Sequence, residues 1–304
     1  MIMRSVIKDV FPVLLAVLIP LAAFTTGLQA PRAGGRDVRL WRRPPELLRD
    51  LLAVLILVPL WAVFLVKVVP LSPVVRGGLL IAVLAVGIGP VAGLKRMGPK
   101  ATNASEALDL NLIVLALSMI FVPIAFVIVG AFFHRAVHVG AGAVAKVVLG
   151  RALLPLLLGL GAARLFPRAA AAAGPWLAKI LNVVLLLTVA LAIVATWKNM
   201  AAVGGVGWLV CAAVAVGGVI IGHLLGGPDQ DARGVVAAAS AMRFPALALV
   251  LAAALPESQR VIPVVIVYAV VAFLAATTYG LVMSRRRPKR ETPIVPIRVA
   301  PRRA

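Results

Sequence analysis

One arginine stands inside a long apolar run, where its charge needs an explanation. Arg243 lies three residues after Ser240 and two before Pro245, in a segment from 234 to 255 that holds no other charged side chain. A charge at the centre of a membrane span costs at least about 2.5 kcal/mol. We therefore expect Arg243 to face a water-filled cavity and pair with an anionic substrate such as a carboxylate, with Ser240 offering a hydroxyl group. The alternatives are that Arg243 caps carbonyl groups of the third predicted helix (77–94), or that it is a fixed cation between two broken helices.

Two apolar segments contain residues that interrupt regular helix. Gly89, Pro90 and Gly93 lie close together in the segment 77–94, and Pro245 lies in the other. Proline removes a backbone donor and disfavours helical geometry in the residue before it. The pattern predicts two discontinuous helices. Paired interruptions of this kind indicate a substrate site near the bilayer midplane in secondary transporters.

Acidic and other reactive side chains avoid the centres of the apolar segments. All ten Asp and Glu residues fall in loops or at segment ends, whereas ion coupling usually uses an intramembrane carboxylate. Asp109 and Asn111, at the start of the fourth segment, are the nearest candidates for coupling. No spacing of His and carboxylate residues suggests a metal site, and Cys211 is interpreted as a small core residue. Because an enzyme needs clustered catalytic groups at one depth, we predict no enzymatic activity and no cofactor.

The composition is that of a membrane protein. Of the 304 residues, 62% are hydrophobic and 13% are charged, and the mean hydropathy is +1.08. An ordinary soluble domain is about half apolar and about one quarter charged, which excludes a cytosolic enzyme, a disordered chain and a disulfide scaffold. A net charge of +21 in a soluble protein would suggest binding to nucleic acid. Here we expect the lipid bilayer as the partner, with no nucleic acid, and the charge on one membrane face.

Nine apolar segments are long enough to span a membrane, which predicts an all-α polytopic membrane protein. We expect the first segment to be retained and not cleaved as a signal peptide. The segments cover 10–28, 47–66, 77–94, 110–131, 147–166, 176–197, 205–225, 234–255 and 261–283. We therefore expect a single transmembrane transporter domain over 1–284 and a basic, disordered cytoplasmic tail over 285–304.

The basic residues orient the predicted bundle. Nine crossings put the termini on opposite sides, and Lys and Arg concentrate on the cytoplasmic side. With the C-terminus inside, that side receives 21 of the 31 Lys and Arg residues, the other side receives nine, and Arg243 remains within a span. We expect a protein of the bacterial inner membrane with its N-terminus outside. The segment 31–50, which carries Trp41, Arg42 and Arg43, is predicted to be a cytoplasmic loop or an interfacial helix.

The segments divide into two repeats of opposite orientation. The first four segments form repeat one (about 10–131). Repeat two (about 147–283) begins with the extra fifth segment, and its last four segments correspond to the four of repeat one. The third segment then matches the eighth, so that the two interrupted helices occupy equivalent positions. Four-helix units separated by one helix have opposite orientations in the membrane, which is the inverted-repeat plan of secondary transporters.

Two stretches of the chain resemble the bile acid:sodium symporter family. The first contains Gly27, Leu28, Trp41, Arg42, Arg43, Pro44, Val58, Pro59 and Leu60. The second contains Gly226, Gly227, Pro228 and Asp229 and then the run 239–248, which is similar to a divergent bacterial branch with a Ser-Arg-His-Pro-Gly type of crossover. The resemblance implies two inverted repeats that build a panel domain and a core domain with crossing discontinuous helices. It also implies a secondary transporter of small organic anions that works by alternating access.

The resemblance implies sodium symport, but the residues of sodium-coupled members are not matched. Those members have an acidic residue, Gln and Asn in one crossover and a Pro-Gly-Gly-Thr-Ala-Ser-Asn stretch in the other, where this chain has residues 240–245 and 89–93. One hypothesis is a sodium-independent exchanger or uniporter in which Arg243 replaces the bound cation. Auxin carrier-like and arsenite permease-like transport are the alternatives, because these families share the inverted-repeat plan. The lone Cys211 argues against arsenite.

Overall fold

The structure is a computed structural model of the chain. It describes residues 2–33, 44–86, 110, 113–114, 116–118, 120–128, 142, 146, 149–228, 230–253, 255 and 257–285. Almost all of these residues are helical, and none of them lies in a strand. The all-α prediction is therefore confirmed for the described residues.

The N-terminal half begins with a long helix, α1 (Ile2–Ala33). A composite helical segment follows, in which α2 (Pro44–Leu51), a π-helical stretch (Leu52–Leu57) and α3 (Val58–Val68) run on without a gap. The next helix, α4 (Pro73–Leu84), begins after Ser72, whose hydroxyl accepts a hydrogen bond from the Val75 amide at 3.3 Å. Serine is a preferred N-cap, and proline is well tolerated at the first helical position because its missing N–H group would have no partner there.

The C-terminal half is described almost continuously from residue 149. A π-helical turn (Leu149–Leu153) leads into α5 (Leu154–Leu165), and the long α6 (Pro167–Met200) follows. The next helices are α7 (Gly204–Leu225), α8 (Gln230–Ala241), α9 (Pro245–Ala253) and α10 (Ser258–Arg285). Gly204 has a φ of 74°, which only glycine adopts without strain, and it separates α6 from α7.

The first helix packs mainly against α5 and α6. At Gly27 of α1 and Gly159 of α5 the two helices approach each other closely. A Cβ atom on Gly27 would overlap the carbonyl oxygen of Leu156, and one on Gly159 would overlap that of Phe24. Small residues that let two backbones meet are a common basis of helix association in membranes. The helices α1, α5 and α6 therefore form one closely packed group.

The helices α4, α7, α8 and α9 pack around α10, which also reaches α6. The buried face of α10 includes Val264, Val267 and Tyr268, and these residues belong to the main apolar core. On the other side of this group, α3 and the π-helical stretch pack against α7, and the π-helical stretch also contacts α8. The helices α8 and α9, on either side of Arg243, are thus surrounded by several elements.

Four helical stretches of the described residues are long and apolar enough to cross a membrane, namely Pro44–Val68, Pro167–Leu225, Ala232–Ala253 and Ser258–Met283. Shorter apolar helices cover Ala16–Gln29, Pro73–Leu84 and Ala116–Ile128. Large apolar side chains such as Leu186 and Leu209 are exposed on the outside of the bundle, where lipid would cover them. These findings confirm an all-α membrane protein, while the number of nine spans stays a prediction.

Several helices differ in length from the predicted segments. The third, predicted over 77–94, begins at Pro73 and ends at Leu84. The segment 31–50 is helical at both of its ends, because α1 reaches Ala33 and α2 begins at Pro44. An apolar run marks only the part of a helix that lipid or core must cover. Polar turns at the ends of the helix are therefore not predicted from the run. Trp41, Arg42, Arg43 and the tail after Arg285 lie outside the described residues.

Candidate functional site

The apolar segment around Arg243 consists of two helices with a break between them. The first helix, α8, ends at Ala241, the second, α9, begins at Pro245, and Met242, Arg243 and Phe244 are not helical. Pro245 stands at the first position of α9, and its ring disfavours helical geometry in the residue before it. The chain therefore leaves the helix at the place where the sequence carries its buried charge.

The guanidinium group of Arg243 is buried and only partly paired. The residue is 4% exposed, and its Nη1 donates a hydrogen bond to the carbonyl oxygen of Val54 at 2.8 Å. Among the residues that the structure describes, neither Nε nor Nη2 has a hydrogen-bond partner. A buried donor without a partner costs about 1–3 kcal/mol, and more when the group is charged. One side of this cation is therefore a strong candidate for ligand binding.

The carbonyl group that Arg243 contacts belongs to the π-helical stretch. In this stretch the amide of Val58 donates to the carbonyl oxygen of Ala53, five residues earlier. Turns of π-helix are rare and recur at functional sites. The capping alternative placed the partner of Arg243 in the third predicted segment, whereas the observed partner, Val54, lies in the second. The reason is tertiary packing, which sets the π-helical stretch against α8.

A tyrosine on α10 completes the surroundings of the guanidinium group. The hydroxyl group of Tyr268 donates to the carbonyl oxygen of Ala241, the last residue of α8, at 2.9 Å. Its oxygen interacts with the guanidinium group as an acceptor, although the geometry leaves Nε and Nη2 without a hydrogen bond of normal length and angle. The described neighbours of Arg243 thus contribute hydrogen-bond acceptors, and no second cation is buried among the described residues.

The break also meets the end of α4. The amide of Phe244 donates to the carbonyl oxygen of Ala85 at 3.2 Å. Ala85 follows the last residue of α4 and has left the helical conformation, with φ −67° and ψ 67°. The amide of Val86 bonds back to the carbonyl oxygen of Leu84 at 2.6 Å. One main-chain hydrogen bond therefore joins the α8–α9 break to the end of another interrupted segment.

A row of glycines on α7 brings α8 to its position. We call Gly218, Gly222 and Gly226 the glycine stripe, because their four-residue spacing puts them on one face of α7. A Cβ atom on Gly222 would lie 2.6 Å from the Cα atom of Ala237, and one on Gly226 would lie 2.6 Å from that of Arg233. Real Cβ atoms do not approach other atoms so closely. The glycine stripe therefore allows backbone contact between α7 and α8, and any larger residue would push α8 away.

Ser240, the other predicted substrate-binding residue, is fully buried next to the break. Within the described part of the chain its hydroxyl group has no hydrogen-bond partner. A Cβ atom on Gly222 would lie 2.7 Å from its Oγ, so Ser240 lies against α7. Arg243 instead contacts the π-helical stretch. Ser240 and Arg243 are only three positions apart in the sequence, but the structure places them against different elements.

The other predicted site residues lie outside the described part of the chain. These residues are Gly89, Pro90, Gly93, Asp109 and Asn111. The helix that leads towards the first three ends at Leu84, before Gly89 is reached. The proposed roles of all five in breaking the helix or in coupling stay predictions.

Among the described residues one acidic side chain is buried, in the first turn of the second predicted segment (47–66). Asp50 is only 7% exposed and lies one helical turn before Val54 in the continuous segment Pro44–Val68. It takes part in an interaction within the protein. The physical reason is that α2 extends the second predicted helix by three residues and packs against the π-helical stretch and α7.

The sequence reasoning missed three elements of the site. It did not find the carbonyl group of Val54 or the side chain of Tyr268, and nothing in the local sequence marks either of them as a neighbour of Arg243. It also missed the glycine stripe, although three glycines at four-residue spacing in an apolar helix are a readable signal for close packing.

Two other reactive side chains lie near tyrosines of α10. His223, near the end of α7, is half-buried and forms a 2.7 Å hydrogen bond through Nδ1 with the hydroxyl group of Tyr279. Cys211 is fully buried in the core, as predicted, and lies close enough to Tyr268 for an electrostatic interaction. Over the described ranges, no three residues among His, Cys, Asp and Glu lie close enough to hold a metal ion. The break with Arg243 is therefore the strongest candidate for a site in the described structure.

Comparison with known proteins adds no relative to this picture. No protein-family model matches the chain, and no curated protein matches it.

Proposed function

We propose that this protein is a secondary membrane transporter of small organic anions that works by alternating access, on the plan of the bile acid:sodium symporter family. One observation carries the proposal. The buried guanidinium group of Arg243 stands at a helix break with two donors that no described residue satisfies. Buried charge in a membrane segment usually marks a substrate or ion path, and helix breaks in transporters line the binding site.

An anionic substrate fits the electrostatics of this break. The guanidinium group interacts with the carbonyl group of Val54 and the hydroxyl group of Tyr268, neither of which carries a formal charge. A bound anion would supply the opposite charge and accept the unused hydrogen bonds, and charge-assisted bonds are stronger than neutral ones. As at any helix start, the first amide groups of α9 lack partners within their own helix, and they add a favourable field for an anion.

The arrangement of helices supports alternating access. Transporters of this kind move one group of helices against another around a fixed site. Here α1, α5 and α6 form one packed group, and the broken segment lies in the other group, joined to the end of α4 by the bond between Phe244 and Ala85. We propose that these groups are the panel domain and the core domain, and that the ends of the two interrupted helices cross at the substrate site.

Aromatic and basic residues on α6 support the proposed membrane position. Trp176 and Trp197 are exposed near the two ends of this helix, with Lys179 and Lys198 over their rings. Twenty-one residues of α-helix span about 31 Å, which matches a hydrocarbon core of about 30 Å. Tryptophan and lysine prefer the membrane interfaces. We propose nine spans in a bacterial inner membrane, with Lys179 near the cytoplasmic face and the N-terminus outside.

We further propose that transport does not require sodium, because the fixed charge of Arg243 takes the place of a bound cation. Transport by the purified protein in proteoliposomes tests both proposals. Vesicles loaded with an unlabelled anion would be tested for counterflow of the same labelled anion, with benzoate, pyruvate and taurocholate as probes. We expect uptake above that of empty vesicles for at least one probe, with or without a sodium gradient. No counterflow with any of the three would contradict the transport proposal, and uptake only with sodium would contradict the second one.

Two variants make the transport experiment specific to the break. Arg243→Ala removes the buried cation, and we expect it to abolish counterflow while the protein still inserts and elutes as a folded species. Arg260→Ala removes an exposed arginine at the start of α10 and serves as the matched control, with counterflow equal to that of the wild type. Normal uptake by Arg243→Ala would remove the break from the substrate path.

A further inference from the structure

The unpaired atoms of Arg243 form one particular edge of its guanidinium group. Nη1 is used by Val54, which leaves Nε and Nη2. The N–H bond of Nε and one N–H bond of Nη2 are parallel, so these two atoms make a fork with a fixed spacing. Two carboxylate oxygens match such a fork with two parallel hydrogen bonds. The structure therefore leaves open a geometry for two oxygen atoms, and not only a positive charge.

The surroundings of this edge restrict the anion further. The described groups that interact with the guanidinium group are the carbonyl oxygen of Val54, which is an acceptor, and the hydroxyl group of Tyr268, which already donates to Ala241. A third or fourth anionic oxygen would therefore meet acceptors instead of donors. Arg243 is also the single buried cation of the described chain, and the carboxylate of Asp50 is already buried one helical turn before Val54, so a bound dianion would leave more excess buried negative charge than a monoanion. A planar anion with two oxygens and one negative charge fits best.

We propose that the Nε–Nη2 edge of Arg243 binds one carboxylate group of a monoanionic substrate in a bidentate manner and discriminates against tetrahedral and doubly charged anions. This inference rests on the proposed function, because it identifies the chemical group that the same break recognises. Lysine cannot replace arginine here, since an ammonium group is a point charge without a fork. The selectivity thus comes from the shape of the donor group as well as from its charge.

Formate tests the inference, because it is the smallest carboxylate and fits wherever a larger one does. The full-length protein in lipid nanodiscs would be perfused with 13C-labelled formate, and bound formate would be detected by the shift of its carboxylate stretching band in infrared difference spectra. We expect a bound band in the wild type and in the exposed-arginine control Arg260→Gln, and none in Arg243→Gln. Absence of the band in the wild type would overturn the proposal.

Competition and a charge-preserving variant test the role of the fork. Acetate should displace formate, whereas formamide, which lacks the charge and one of the two acceptor oxygens, should compete at least about tenfold more weakly, as expected for the loss of one charge-assisted hydrogen bond. Methanesulfonate and phosphate should also compete at least about tenfold more weakly, because their further oxygens would lack donors at this site. Arg243→Lys keeps the positive charge and should also bind formate at least about tenfold more weakly. Equal competition by methanesulfonate, or wild-type affinity in Arg243→Lys, would overturn the bidentate fork. Size-exclusion elution of each variant would confirm that it is folded.

The two proposals fail in distinguishable ways. Formate binding that depends on Arg243, without counterflow of any anion, would keep the carboxylate site and remove the transport proposal. Counterflow that depends on Arg243, without a bound formate band, would keep transport and remove the carboxylate fork.

Discussion

Replacing Arg243 with methionine separates a ligand-binding role from a structural one. Methionine is unbranched and flexible, so it fills most of the space of the arginine stem without a charge. The change removes the hydrogen bond from Nη1 to the carbonyl oxygen of Val54 and also removes the two donors that lack described partners. These effects on the free energy of unfolding have opposite signs.

The magnitudes favour the methionine variant in the absence of ligand. Loss of a hydrogen bond to a charged group costs about 1.5–3 kcal/mol, and removal of two unsatisfied buried donors returns about 1–3 kcal/mol for each. The balance lies between about 1 kcal/mol of destabilisation and about 4.5 kcal/mol of stabilisation. At about 2 °C for each kcal/mol, we expect Arg243→Met to unfold near the wild-type temperature or up to about 9 °C above it. A site that is costly when empty is typical of a functional residue.

The lone cysteine supplies the assay. Cys211 is fully buried, so a maleimide dye that fluoresces on reaction with thiols reports its exposure as the detergent-solubilised protein unfolds with heat. Cys211→Ala should give no signal, and Arg260→Met, at an exposed position, should leave the unfolding temperature unchanged. Formate should raise the unfolding temperature of the wild type and not that of Arg243→Met, because only a ligand that binds the folded state stabilises it.

The opposite outcome would refute this reasoning. If Arg243 were a satisfied structural cap, removing it would break a buried polar network at a cost of about 3–5 kcal/mol. The unfolding temperature would then fall by about 6–10 °C. Such a fall, together with no effect of formate on the wild type, would assign Arg243 to the scaffold.

Three further predictions concern the helices around the break. Gly222→Ala should destabilise the protein by about 1–3 kcal/mol in the Cys211 assay, because its Cβ atom would meet the backbone of α8. Gly161→Ala, with open space around its Cβ position, should be neutral or slightly stabilising. Equal effects of the two substitutions would contradict backbone contact at the glycine stripe. Ser240→Ala should leave the unfolding temperature unchanged or raise it, since the hydroxyl group has no described partner, and a clear fall would reveal a hidden bond. In a variant that lacks Cys211, the single substitutions Lys179→Cys and Lys198→Cys should react with an impermeant maleimide from opposite sides of the membrane, Lys179→Cys from the cytoplasmic side. Labelling of both positions from the same side would contradict the proposal that α6 spans the membrane.

The sequence predicts the break at Arg243 because local chemistry determines it. Proline at position 245 acts on its immediate neighbour, and a charge inside an apolar run is visible without any tertiary information. The same is true of most helices, since lipid or core must cover each apolar run. The third segment is described only in part. Its helix α4 ends at Leu84, and the glycines and the proline that are predicted to break the segment lie outside the described residues.

The neighbours of Arg243 could not be predicted in the same way. Val54 is 189 positions away in the chain and Tyr268 belongs to another helix, so both contacts depend on how the helices pack. The burial of Asp50 has the same origin. A single sequence shows the period of a helix but not the face that another helix will cover, except where small residues repeat, as in the glycine stripe.

The π-helical stretch fixes the rotation of α2 about the helix axis relative to α3. Each residue of an α-helix turns the chain by about 100°, so one residue removed from Leu52–Leu57 would rotate α2 by roughly that angle relative to α3. Leu47 and Asp50, both buried now, would then turn away from the core, although no side chain in contact with them had changed. The number of residues in this stretch is therefore as much a part of the site as the identity of any residue in it.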